Sequence, residues 1–333
     1  STYKMSKIGY QSLGYFSFSA LLFLSIYLTE AYLGLMPKVW GTIFWGPILY
    51  FSVINIFLRF YLRGFTYDVA VRATFLGCAF ATGIYLSCSP DGWRVFGMYA
   101  AVMSAFHYGE FLAIAISNPD SLSLDSFILN HSMQYGVAAV SSWVEWALEM
   151  YFFPESKTYF TISLFGLAVC VAGEILRKGA MLTARKSFNH CVQFSKKDDH
   201  VLVTHGLYAI CRHPSYVGWF YWSIGTQIIL LNPVCTVLYT VASWSFFRER
   251  VYFEEVTLVA FFGEIYQNYQ KSVSTGLPFI HGYCTSFILV QTGFTVSSDW
   301  FHRIFRLVSP YFRLVSPYLQ TSFTVLQIGF TLS

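Results

Sequence analysis

Residues 200–219 hold the densest set of groups able to do polar chemistry. They include His200, His205 and His213, with Arg212, Pro214, Ser215, Tyr208 and Tyr216, and end in Gly218-Trp219. Pro214 disfavours helical geometry at His213, so the imidazole is expected at an extended kink before a helix that begins near Ser215. The first amides of such a helix lack backbone partners and suit a carboxylate or another anionic group of a ligand. The same residues also suit a plainer role, an interfacial turn whose Arg212 and His213 meet lipid headgroups. Further along, Arg250 and Glu254 stand at i,i+4 on one face of a predicted helix. They read either as an ordinary surface pair or as groups placed beside the first cluster. A metal site fits poorly. Neither His190 with Cys191 nor the three histidines of the 200–219 stretch match a standard zinc spacing.

The elements that must position these groups are membrane helices. Of 333 residues, 55% are hydrophobic, 20% aromatic and only 11% charged, outside the range of a soluble domain. A net charge of +4 is too small to point to nucleic acid. A span needs roughly 20 mostly apolar residues. Six stretches qualify, near 14–35, 41–60, 69–89, 93–117, 132–153 and 159–178. The first of them is long enough to stay in the bilayer rather than serve as a cleaved signal. Two shorter apolar runs, near 216–231 and 234–247, flank Asn232-Pro233 and are expected to form a tight helical hairpin that only partly spans the bilayer.

Loop cations set the expected orientation. Lys4, Lys7, Arg59, Arg63, Arg72, Arg177, Lys178, Arg185, Lys186, Lys196 and Lys197 fall on one side if the N-terminus and the 177–215 segment are cytoplasmic. The loops near Lys38, Asp91-Gly92 and Glu155-Lys157 then face away. This arrangement brings the polar cluster and Arg250 to the same side. Within the spans, His107 and Glu110 at i,i+3 and Glu145 and Glu149 at i,i+4 either line a passage or satisfy one another between helices. The seven scattered cysteines read as small core residues. Beyond about Tyr283 the chain changes character: the heptapeptide at 305–311 recurs unchanged at 312–318, and Thr285-Ser-Phe returns as Thr321-Ser-Phe. Two copies are fewer than a solenoid needs.

From about Tyr15 to Ile280 the chain resembles the isoprenylcysteine carboxyl methyltransferases of the endoplasmic reticulum. The likeness rests on Arg177-Lys178, Phe188-Asn-His190, Val192-Gln193, the 200–219 run, Asn232-Pro233, Arg250 with Glu254, Phe262-Gly263-Glu264 and Thr275-Gly-Leu-Pro-Phe-Ile280. The tail departs from the pattern. The resemblance implies an all-α polytopic membrane protein of about eight transmembrane helices, including the C-terminal hairpin, with a cytoplasmic-side cofactor pocket. Residues 1–175 would form the membrane wall and a lipid passage, 176–282 the catalytic region, and 283–333 an appended tail. The resemblance implies S-adenosylmethionine as methyl donor, bound by Gln193, His200, Val201, Leu202, Val203, Tyr208, His213, Pro214, Ser215, Tyr216 and Glu254. It gives Arg250 the acceptor, the α-carboxylate of a prenylated cysteine in CaaX-processed proteins such as small GTPases, delivered from the lipid bilayer. Other readings share the Arg-His-Pro core: a phospholipid N-methyltransferase, a sterol reductase, or a non-catalytic prenyl-protein binder.

Overall fold

A computed structural model describes residues 5–33, 45–89, 91–129, 132–190 and 201–283. Gln193, His200 and the duplicated tail lie outside the described residues. The described regular structure is helical: α1 (Lys7–Tyr32), α2 (Gly46–Tyr61), α3 (Gly64–Ser87), α4 (Trp93–Ser117), α5 (Met133–Phe152), α6 (Phe160–Ala184), α7 (Pro214–Leu230), α8 (Pro233–Phe262) and α9 (Glu264–Ser272). Ser6 and Ser132 start α1 and α5 by accepting from the amides of Gly9 and Tyr135, at 3.0 and 3.2 Å. Pro214 and Pro233 each occupy the first turn of their helix, where a missing amide costs nothing.

Helices thus occupy all eight positions expected from hydropathy. Four of them are long and apolar enough to cross a membrane: α1, α3, α4 and α6 with its continuation to Ser187, while α2 is a shorter apolar helix. The hairpin differs from expectation in its second arm. The arm expected to end near residue 247 runs without a break to Phe262, a helix of 30 residues and so about 45 Å long. Arg250 and Glu254 therefore project from the same rod that forms the hairpin. The turn before it places Leu231, not Asn232, in the left-handed region at φ 56°.

The charges near that turn also correct the loop reading. Lys157, expected in a cation-poor loop on the far side, is buried. It donates to Glu149, to the carbonyls of Leu230 and Leu231 at 2.9 and 3.0 Å, and to Asn232 Oδ1 at 3.0 Å. Glu145 accepts from the amides of Val234 and Cys235 at 2.8 and 2.7 Å. One cation closes the C-terminus of α7 and one anion opens the N-terminus of α8, each matching the sign of the helix end it meets.

Two wall systems meet at α4, which packs on α1 and α3 on one side and on α6 and α7 on the other. The α6–α7 pair is the tightest because it is glycine-lined. A Cβ on Gly173 would come within 2.6 Å of the Gly218 carbonyl oxygen, and one on Gly218 within 2.5 Å of that of Gly173. Backbone can approach backbone this closely only without side chains. One turn beyond Gly173 lies Arg177, and three residues before Gly218 lies Ser215, so the glycine contact sets the register of the polar cluster.

Candidate active site

At the end of this bundle the start of α7 meets the outer half of α8. His213 has φ −125° and ψ 57°, outside helical geometry, and Pro214 opens α7, as the dipeptide implied. Arg212 and His213 are 6% and 5% exposed, which rules out headgroup contact as their main role. A cavity lies beside them. Its lining includes Leu202, Val203, Tyr208, His213, Ser215, Tyr216 and Glu254, together with Val201 at its exposed edge. Pro214 is buried and shapes the helix start without lining the cavity.

The Tyr216 hydroxyl joins the two groups singled out on α8. It donates to Glu254 and accepts from Arg250 Nε at 3.0 Å. Arg250 Nη2 also donates to the His190 carbonyl at 2.6 Å. Arg250 is held against the rim of the cavity, while Glu254 lines it. Glu254 Oε1 also stands 3.9 Å from His213 Nδ1.

Behind this rim lies a buried ionic cluster. Arg177, counted above as a loop cation, is 1% exposed and pairs bidentately with Glu110 of α4 at 2.5 and 2.7 Å. Glu110 also accepts from Lys178 at 2.5 Å and His190 Nε2 at 2.9 Å. Arg177 Nη1 donates to Ser215 Oγ at 2.9 Å, and its guanidinium lies 4.4 Å from the Trp219 ring. Ser215 is thus engaged from the membrane side while it lines the cavity. A fully buried carboxylate persists because each of its oxygens meets a cationic donor, Arg177 on both and Lys178 on Oε1. His107 bonds the Phe127 carbonyl through Nδ1 at 2.9 Å and Tyr135 through Nε2 at 3.2 Å. His107, Glu110, Glu145 and Glu149 are each satisfied by partners elsewhere in the packing and not by one another, which corrects the mutual pairing expected of them.

Sequence reasoning passed over Glu255, beside the residue it chose. Adjacent helical residues diverge by roughly 100°, so Glu254 faces the cavity and Glu255 the interior, where it is fully buried. Its Oε1 accepts from Arg212 Nε at 2.8 Å, His213 Nε2 at 3.0 Å and Tyr266 at 3.2 Å; its Oε2 accepts from Gln270 Nε2 at 2.9 Å and the Tyr283 amide at 2.8 Å. Burial pushes the Glu255 carboxyl up, but the hydrogen bond and charge of His213, then those of Arg212, outweigh it and hold the group at about 2. Burial, reinforced by the charge of Glu255, raises the Tyr266 phenol, which therefore remains a donor. Aromatic lining from Phe261, Phe262, Tyr266 and Tyr269 was likewise not singled out, since only the α8–α9 bend at Gly263 (φ 56°) turns it inward.

These features define a class: a multi-pass helical membrane protein with a polar, aromatic-walled ligand pocket at one end of its bundle. Residues 166–260 match the model of the isoprenylcysteine carboxyl methyltransferase family. The protein-S-isoprenylcysteine O-methyltransferase of Tribolium castaneum is 52% identical over 282 residues, 84% of this chain and 99% of that one. The Homo sapiens protein of the same name is 54% identical over 237 residues, 71% of this chain and 84% of its own. A solved structure of the eukaryotic intramembrane Ras methyltransferase aligns with a TM-score of 0.81 at 52% identity, covering 84% of this chain and 100% of that one. This chain belongs to the isoprenylcysteine carboxyl methyltransferase family.

Proposed function

We propose that this chain moves a methyl group from S-adenosylmethionine to the C-terminal α-carboxylate of a prenylated cysteine in CaaX-processed proteins such as small GTPases. It does so in the endoplasmic reticulum membrane, with the pocket facing the cytoplasm. The observation that carries this reading is the Tyr216 hydroxyl, which links a cavity carboxylate, Glu254, to a rim guanidinium, Arg250.

The donor set of the cavity fits the methyl donor. Glu254 accepts from hydroxyl or ammonium groups, the His213 ring carries a second polar atom toward the cavity, and Tyr208, Phe261 and Tyr266 offer ring faces to a purine. When bound, S-adenosylmethionine supplies an electrophilic methyl carbon on a sulfonium. An α-carboxylate with a reference pKa near 3.5 is already ionised at neutral pH, so none of these side chains has to remove a proton. Their work is alignment and water exclusion, which proximity makes worth several kcal/mol. Arg250 suits the acceptor because a guanidinium grips a carboxylate in a planar fork. The Tyr216 and His190 contacts hold that fork at the boundary, where a prenyl chain lying in lipid presents its polar end. Each CH₂ of that chain favours lipid by about 0.8 kcal/mol.

The test is incorporation of labelled methyl from S-adenosylmethionine into N-acetyl-farnesylcysteine by purified protein in lipid. The label should be released as volatile methanol in alkali, as an ester requires. Label that survives alkali, or absent transfer by folded protein, would rule the reading out.

A further inference from the structure

The geometry points to Glu255 as the positioning residue for His213. An inference of this kind rests on the methyl-donor reading of the cavity.

Glu255 takes five donors on two oxygens, and they come from four separate pieces of chain: the 205–213 loop, the start of α9, its end, and the segment after it. An ionised carboxylate only accepts, so the atom facing it on His213, Nε2, must carry hydrogen. That fixes which edge of the ring is left for the cavity: Nδ1, on the side of Glu254. Arg212 holds the other end of the arrangement. Its Nη atoms donate to the carbonyls of Gln270, Val273 and His281, and its amide to that of Ser274 at 2.8 Å, while the His213 amide donates to the Thr275 carbonyl at 3.3 Å. The segment 273–283 is thereby strapped across the back of the cluster. Leu277 and Ile280 pack it onto Cys211, Val217 and Phe247, and Gly276 and Gly282 turn it at φ 89° and 79°. At Gly282 a Cβ would collide with the Glu255 carboxylate, so the strap closes directly on that group. Glu255 itself does not line the cavity. It acts through the imidazole, whose angle and protonated edge it sets.

A thermodynamic cycle between the two residues tests this, read as binding of S-adenosylhomocysteine to the full-length protein in nanodiscs. Glu255→Gln is expected to raise the dissociation constant about tenfold, and KM for S-adenosylmethionine in the same ratio, with kcat within about twofold of wild type. In a His213→Ala background the same change is expected to cost less than about twofold, because the ring it orients is gone. Equal losses in the two backgrounds, or a fall in kcat at unchanged KM, would overturn the proposal and leave Glu255 a general stabiliser. Should Glu255→Gln not fold, Tyr266→Phe removes one donor to Oε1 and decides the matter. An increase of about threefold that vanishes with His213→Ala supports positioning, and unchanged affinity contradicts it. Wild-type protein that binds S-adenosylhomocysteine yet fails to methylate farnesylcysteine would refute the acceptor reading while leaving the cycle interpretable.

Discussion

Glu254 and Glu255 are neighbours in sequence with opposite duties, and the difference is one of direction. Glu254 faces the cavity, where replacement by Gln removes a charge-assisted acceptor. The cofactor dissociation constant is expected to rise about tenfold, with thermal stability unchanged, as calorimetry and a melting curve would record. Glu255 faces inward and bears on stability. Its carboxyl is lowered from 4.5 to about 2, so its contribution is complete above about pH 4.5 and is lost as pH falls through 2. The contribution is about 3 kcal/mol. Melting temperature should therefore drop between pH 4.5 and 2 in the wild type and less steeply in Glu255→Gln; identical slopes would contradict the assignment. The spacing of Arg250 and Glu254 made one face of α8 legible in the sequence. Charge spacing alone did not distinguish Glu255, Arg177 or Lys157 from solvated charges, although Arg177 stood among the residues of the family resemblance, because their partners lie far along the chain and only tertiary packing brings them together.

At the scale of elements, the glycine pair and the capped hairpin place the site. Gly173→Leu or Gly218→Leu would force α6 and α7 apart where their backbones touch. Loss of S-adenosylhomocysteine binding together with a lowered melting temperature is expected; a stable variant with normal binding would show that the register is set elsewhere. Lys157→Met should strand Glu149 and three oxygens at the turn, costing about 3 kcal/mol, and a melting temperature within a degree of wild type would refute that role. Helix positions were readable because long apolar runs leave few alternatives. Pro214 and Pro233 marked their helix starts for the same kind of reason, a fixed φ and a missing donor. The continuity of α8 from Pro233 to Phe262 was not readable. A change from apolar to charged composition near Arg248 suggests a boundary, yet the helix crosses it because no glycine or proline interrupts it before Gly263.

For the whole molecule, the proposed function turns on the relation between the polar pocket and the exposed apolar faces of the helices beside it. Exposed apolar side chains on α8, among them Val237, Leu238 and Val241, lie on the same helix as Arg250 and Glu254. The family resemblance read from the sequence is borne out by 52% identity across 84% of the chain. Gln193 and His200, which the resemblance also assigns to the cofactor, lie outside the described residues, as does the tail. Single-turnover methyl transfer to N-acetyl-farnesylcysteine by Arg250→Lys, at saturating S-adenosylmethionine and with donor affinity measured in parallel, probes that relation most directly. Lysine keeps the charge and loses the fork, so transfer is expected to slow about a hundredfold while donor affinity stays within about threefold. Unchanged transfer, or a loss confined to donor affinity, would contradict the placement of the acceptor carboxylate on Arg250.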